Sequence, residues 1–145
     1  MGRVLRLAEN GPGLIVLDAS AAVEMLLNTA AGKACSAATS AGGPAIAPGH
    51  FDAEGYNTLR RAFFEGHLDR SSLASHVDQL ARLEAERIPI APLLRGVTPL
   101  MDVVGAHDVF YVLLAVERAC PLLTCDLQLA RAATRLGVEV IAIRP

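Results

Sequence analysis

The chain has 145 residues, of which 52% are hydrophobic and 19% are charged. These proportions exclude a disordered chain and fit one globular domain with a substantial core. The net charge of −2 excludes a strongly basic nucleic-acid-binding module. No apolar run reaches the roughly 20 residues of a membrane span. Residues 1–13 lack the apolar segment of a secretory signal, so we expect a cytoplasmic protein with an N-terminal tail over 1–13.

The three cysteines, Cys35, Cys120 and Cys125, are an odd number and contain no Cys-x-x-Cys pair. Cys120 and Cys125 bracket a predicted strand and would lie about 16 Å apart along it, which is too far for a disulfide. We therefore expect the cysteines to be small buried hydrophobic side chains in a reducing compartment.

Short apolar runs alternate with helical segments along the chain from residue 14 onwards. In chain order, we predict a strand at 14–18, helices at 21–27 and 31–40, a strand at 45–47, helices at 50–65 and 69–87, a strand at 88–90, a broken helix at 93–104, a helix at 109–118, a strand at 121–124, a helix at 127–136 and a strand at 138–143. Pro89 predicts that the third strand lies at a sheet edge. Apolar strands that alternate with helices are typical of a parallel sheet covered on both faces. We predict an α/β domain over 14–145, a three-layer α/β/α fold with about five parallel strands.

Acidic residues fall where this topology brings chain segments together. Asp18 and Asp126 each follow a predicted strand, while Glu54 and Asp108 lie at the starts of helices. In an open parallel sheet, ligands bind beyond the carboxyl ends of the strands. Each acid alone could simply cap a helix or complement a helix dipole. Four carboxylates in one crevice would repel one another, however, and this arrangement predicts a site for a hard divalent cation, Mg²⁺ or Mn²⁺.

Four segments, in this order and spacing, resemble the successive motifs of PIN-domain ribonucleases. The resemblance covers residues 14–145 and is greatest to the VapC-type toxins of bacterial type II toxin–antitoxin pairs. The matching segments are residues 14–23, 47–57, 106–115 and 123–130.

This resemblance implies a PIN-like fold and a Mg²⁺-dependent endoribonuclease that cleaves RNA to inhibit translation and growth. It also implies a homodimer and a VapB-type antitoxin whose C-terminal segment covers the active site. The implied catalytic residues comprise four acids that also bind the metal and two hydroxyls beside them: Asp18, Glu54, Asp108, Asp126, Ser20 and Thr124. Asn57 matches a polar position one turn beyond Glu54.

The chain departs from the pattern of its apparent relatives at two places. Leu127 and Gln128 stand where many relatives carry a further acid or Gly, which leaves a second metal position open. Gly55 is unusual beside Glu54.

Several residues near the acids have both a structural and a functional interpretation. For His50 and His107 we favour capping or packing over substrate contact. For Tyr111 we favour core packing over stacking on a base, and we expect Asp52 to be exposed to solvent. Arg131 shares one helix face with Arg135, and contact with RNA phosphates is about as well supported as simple solvation.

Two other functions are compatible with an acidic α/β domain. A signalling receiver-like domain needs paired acids after the first strand and a Lys after the last, whereas the only Lys is Lys33. A catalytically silent PIN-fold binding module would not need all four acids. We therefore favour the ribonuclease.

Overall fold

The computed structural model describes residues 13–145, so the predicted tail lies outside the described residues except for Gly13. Within these residues, five parallel strands form one sheet in the order β3-β2-β1-β4-β5. The strands are β1 (Ile15–Leu17), β2 (Ala45–Pro48), β3 (Ala85–Ile88), β4 (Leu122–Thr124) and β5 (Val140–Ala142). The predicted five-stranded parallel sheet is confirmed.

Helices flank the sheet and complete the predicted three layers. They are α1 (Ala19–Leu26), α2 (Ala30–Gly42), α3 (Phe51–Phe64), α4 (Arg70–Arg82), α5 (Val109–Arg118) and α6 (Leu127–Arg135). Two short 3-10 helices, Ala91–Gly96 and Thr98–Leu100, replace the broken helix predicted at 93–104, because a proline lies in the first turn of each. Among residues 13–145, no helix is long and apolar enough to cross a membrane.

The central strands form the core and fix the position of the acids. Every residue of β1 and β4 is buried, which explains their uninterrupted apolar sequences. The two strands are neighbours, with Leu17 in register with Leu123. The backbone N–H of Asp18 donates to the Leu123 carbonyl at 3.0 Å. The carboxyl ends of β1 and β4 therefore present Asp18 and Asp126 at one edge of the sheet.

The third strand is the element that the sequence places wrongly. β3 spans Ala85–Ile88 rather than 88–90, and α4 ends at Arg82 rather than near residue 87. The Arg87 guanidinium donates to the carbonyls of Leu80, Leu83 and Ala85, which fixes the turn between the helix and the strand. All four residues of β3 pair with β2, so its position is set by backbone pairing. The strand does lie at the edge of the sheet, as predicted.

Arg87 also changes the interpretation of Asp52. The two side chains form an ion pair, with 2.9 Å between Arg87 Nη2 and Asp52 Oδ1, and the Asp52 side chain is 45% exposed. The Asp52 side chain is therefore partly exposed, as expected, but it is also paired, because the helix angle that turns it away from Glu54 directs it towards β3.

The three cysteines are buried and free, so the prediction that they are buried side chains is confirmed. The sequence did not indicate that Cys35 Sγ and Cys125 Sγ lie 3.5 Å apart. Cys35 belongs to α2 and Cys125 follows β4, so their contact joins α2 to the edge of the sheet that carries the acids.

Candidate active site

Asp18 is the most buried acid of the candidate site, with only 5% of its surface exposed. Its Oδ2 accepts hydrogen bonds from Ser20 Oγ at 2.5 Å and from Thr124 Oγ1 at 2.6 Å. Burial raises the pKa of the Asp18 carboxyl, the two hydroxyls lower it, and the charges of Glu54 and Asp126 raise it again. The net result is a pKa above the ordinary value.

The two hydroxyls connect the ends of the central strands. Ser20 Oγ accepts a hydrogen bond from the backbone N–H of Cys125 at 3.1 Å, and Thr124 Oγ1 accepts one from that of Asp126 at 2.9 Å. The two hydroxyl oxygens are 3.3 Å apart. Ser20 and Thr124 therefore hold the Asp18 carboxylate and the Asp126 backbone in a fixed relation.

Asp126 caps helix α6 while it faces the site. Its Oδ1 accepts hydrogen bonds from the backbone N–H groups of Gln128 at 2.9 Å and Leu129 at 3.2 Å. Its Oδ2 accepts no hydrogen bond from another described residue. One carboxylate oxygen is thus used by the fold, and the other is available to a ligand.

Glu54 reaches the site from the first turns of α3. Its Oε1 accepts a hydrogen bond from the Tyr111 hydroxyl at 2.7 Å and lies 3.1 Å from His50 Nε2. Burial raises the pKa of Glu54, but the hydrogen bonds from His50 and Tyr111 and the charges of His50 and His107 lower it more. The pKa lies below its ordinary value, so Glu54 is ionised at neutral pH.

Asp108 occupies the N-cap position of α5, but within the described residues its side chain makes no capping hydrogen bond. Its interpretation as a simple helix cap is therefore wrong. Burial, followed by the charges of Asp18, Asp126 and Glu54, raises the pKa of Asp108 to about 6. All four acids predicted from the sequence are therefore close enough to interact electrostatically.

Two neighbours of the acids have contacts that the sequence did not predict. Tyr111 is fully buried, as expected of a core residue, but its hydroxyl also holds Glu54. His50 makes no capping hydrogen bond, and its Nε2 lies 2.8 Å from the His107 carbonyl oxygen. Burial lowers the pKa of His50, but Glu54, His107 and Asp18 raise it to a net value above its usual range. Tyr111 lies one helical turn after Asp108, and this spacing is the feature of the sequence that could have indicated that its hydroxyl reaches the acids.

The donor chemistry of this site fits a hard divalent cation. It offers four carboxylates, and burial together with the charges of the neighbouring acids raises the pKa values of Asp18 and Asp108. Oxygen ligands of this kind suit Mg²⁺ or Mn²⁺. The thiol of Cys125, although next to Asp126, lies against Cys35 instead.

Comparison with known proteins gives a consistent set of relatives. No family model matches the chain. The chain is 39% identical over 119 residues to Ribonuclease VapC12 of Mycobacterium tuberculosis, which is 81% of this chain and 91% of that protein. It is 36% identical over 123 residues to Ribonuclease VapC3 of the same organism, or 83% and 88% of the two chains. It is 31% identical over 117 residues to VapC ribonuclease Mb0985 of Mycobacterium bovis, or 81% and 89%.

A crystal structure also matches the fold. PAE2754 from Pyrobaculum aerophilum superposes with a TM-score of 0.66 over 89% of this chain and 84% of its own, at 15% sequence identity. At this level of identity the match concerns the fold alone.

Proposed function

Since the chain belongs to the VapC family of ribonucleases, we propose that it is a metal-dependent endoribonuclease and the toxin of a toxin–antitoxin pair. It cleaves RNA and thereby inhibits translation and growth. The observation that carries this proposal is the convergence of four carboxylates near the ends of β1 and β4, where burial and then mutual repulsion raise the pKa of Asp108 to about 6.

The four acids are the proposed metal ligands, and Mg²⁺ is the proposed ion, with Mn²⁺ as a substitute. Hydrogen bonds already orient three of these carboxylates, so metal binding would require little further ordering of their side chains. Ser20 and Thr124 orient Asp18. The backbone of α6 orients Asp126, and Tyr111 orients Glu54. The chemistry supplied by a bound divalent cation is neutralisation of the scissile phosphate and activation of water.

The residues of the chain itself perform the positioning steps of the proposed reaction. Asp18 and Asp126 are held across β1 and β4, so an RNA phosphate would meet them at a fixed edge of the sheet. Ser20 and Thr124 keep the Asp18 oxygens in place, in the manner of groups that orient metal ligands. Cleavage in this site is expected to leave a 5′-phosphate and a 3′-hydroxyl.

The proposed partners follow from the family. We expect a VapB-type antitoxin, an RNA substrate, a homodimer and a cytoplasmic location. Exposed apolar side chains are available for protein contacts, among them Phe64 on α3 and Met101 before α5, which are 68% and 69% exposed. The receiver-like alternative does not fit, because a single acid, Asp18, follows β1 and the only Lys, Lys33, lies in α2 rather than after the last strand.

Expression in bacteria tests this proposal. Induction of the wild-type chain is expected to arrest growth, and co-expression of the antitoxin gene is expected to relieve the arrest. The variant Asp18→Asn keeps an oxygen that can accept the Ser20 and Thr124 hydrogen bonds but removes a charge, so it should express as a folded protein without arrest. Arrest by Asp18→Asn as strong as that by the wild type would exclude a metal-dependent mechanism.

A further inference from the structure

A second cluster of potential ligands lies beside the carboxylate site and shares one residue with it. His50, Glu54 and His107 each offer one ligand atom, and these atoms lie within 4.8 Å of one another. His50 and Glu54 are four residues apart and so lie on one face of the helical segment that begins α3. His107 reaches them from the loop that precedes α5. The hydrogen bond between His50 Nε2 and the His107 carbonyl oxygen, at 2.8 Å, fixes this loop against the helix.

The donor types differ from those of the carboxylate site. Two imidazoles and one carboxylate are the ligand set of many zinc sites that leave a fourth position open. Imidazole nitrogen selects Zn²⁺, Co²⁺ or Ni²⁺ over Mg²⁺, which prefers oxygen alone. The 3.1 Å between His50 Nε2 and Glu54 Oε1 is close to the roughly 3.3 Å that separates two ligands of a tetrahedral zinc ion with bonds of about 2.0 Å.

The surroundings of the cluster leave His50 Nε2 as the nitrogen that can bind an ion, and they give an ion access from solvent. His50 Nδ1 is buried without a hydrogen-bond partner among residues 13–145, so every polar contact of this ring runs through Nε2. The His50 side chain is 14% exposed, the Glu54 side chain is 26% exposed, and His107 is exposed. A groove that Asn57 and Arg61 also line leads to the three residues.

We propose that His50, Glu54 and His107 form a binding site for a borderline transition-metal ion such as Zn²⁺. A doubly protonated His50 ring releases its Nε2 proton to bulk water and keeps the proton on Nδ1. The Nε2 lone pair then binds the ion, which replaces the hydrogen bond to the His107 carbonyl oxygen. Because Glu54 belongs to both clusters, an ion held by the histidines competes with the catalytic cation for the negative charge of Glu54. Zn²⁺ is therefore an inhibitor of Mg²⁺-supported cleavage. This last consequence rests on the proposed ribonuclease function, whereas the binding itself does not.

Metal binding is tested without RNA, with Co²⁺ as a coloured probe and Zn²⁺ in calorimetry. The test variant is His107→Gln, which changes an exposed side chain and keeps the backbone carbonyl that His50 contacts. The matched control is His67→Gln, because His67 lies beyond α3 with its side chain 71% exposed. We expect the wild type and His67→Gln to give the visible spectrum of Co²⁺ with nitrogen ligands. In His107→Gln the affinity for both ions should fall at least about tenfold. Loss of a residue that only hydrogen-bonds a metal ligand already lowers metal affinity by about this factor, and His107 is proposed as a ligand itself.

A carboxylate variant separates this site from the catalytic one. Asp18→Asn should retain the Co²⁺ spectrum although it loses cleavage. Equal Co²⁺ affinity in the wild type and His107→Gln, or loss of the spectrum in Asp18→Asn but not in His107→Gln, would overturn the proposal.

Inhibition is measured on the active enzyme in excess Mg²⁺, relative to the activity of each variant without Zn²⁺. The Zn²⁺ concentration that halves the rate should rise at least about tenfold in His107→Gln and stay unchanged in His67→Gln. Equal inhibition of all three proteins would refute the competition for Glu54, even if the binding data hold.

Discussion

Replacement of Asp108 by Asn should make the metal-free protein more stable at neutral pH. Burial and the charges of Asp18, Asp126 and Glu54 raise the pKa of Asp108 from 3.8 to about 6. In the folded state the ionised form of Asp108 is therefore penalised relative to the unfolded chain. The penalty is absent below pH 3.8, grows as the pH rises towards about 6, and is complete above it, so stability falls as the pH rises through this window.

The size of this effect follows from the pKa difference. About two pKa units correspond to about 3 kcal/mol. Asp108 is only half-buried, and solvent screening reduces the value to about 1–2 kcal/mol. Asp108→Asn should raise the melting temperature in EDTA at pH 7.5 by about 3–6 °C. The difference should vanish well below pH 3.8, where the carboxyl is protonated in both the folded and the unfolded wild type.

The assay is thermal unfolding by circular dichroism in EDTA and in Mg²⁺, with Asp102→Asn as the control. Asp102 is an exposed acid on the loop before α5, and its replacement should change the melting temperature little. Mg²⁺ should stabilise the wild type more than Asp108→Asn, because the ion binds only the folded state and loses a ligand in the variant. If Asp108→Asn is less stable than the wild type in EDTA at pH 7.5, the four carboxylates do not repel one another as described.

Two further substitutions and one control substitution test the contacts that support the site and the fold. Tyr111→Phe removes the 2.7 Å hydrogen bond to Glu54 and should weaken Mg²⁺ binding about tenfold in calorimetry; unchanged affinity would show that Tyr111 only packs. Gly32→Ala would place a Cβ 1.9 Å from the Glu24 carbonyl oxygen, so α1 and α2 must separate and the free energy of unfolding in urea should fall by at least about 2 kcal/mol. Gly105→Ala meets nothing within 4 Å and should change this free energy by less than about 0.5 kcal/mol; equal effects of the two glycine variants would contradict the close packing of α1 and α2.

The central strands could be predicted from the sequence because burial alone determines them. β1 and β4 are covered on both faces, so each is a short apolar run that ends at an acid. β3 could not be placed in this way. Its residues Glu86 and Arg87 are polar, and their position depends on pairing with β2 and on the contacts of the Arg87 guanidinium. The pairing with β2 and the contact with Asp52 join segments far apart in the chain and leave no local pattern.

The same distinction applies to the candidate site. The convergence of Asp18 and Asp126 follows from the rule that parallel strands end at one edge, and this much could be predicted. The contacts of Glu54 with Tyr111 and His50 depend on how α3 and α5 pack and on the loop before α5. The sequence therefore favours packing for Tyr111 and capping or packing for His50, and it does not indicate their hydrogen bonds to Glu54.

The most direct test of the metal-dependent nuclease is cleavage of a total RNA preparation by the purified chain. With Mg²⁺ we expect fragments that carry 5′-phosphate ends, and with EDTA we expect none. Asp18→Asn and Asp126→Asn should each lower the rate about 100-fold or more, as the loss of one electrostatic group in an active site does, while circular dichroism shows them folded. Cleavage that persists at the wild-type rate in EDTA, or in both variants, would contradict a mechanism based on these carboxylates.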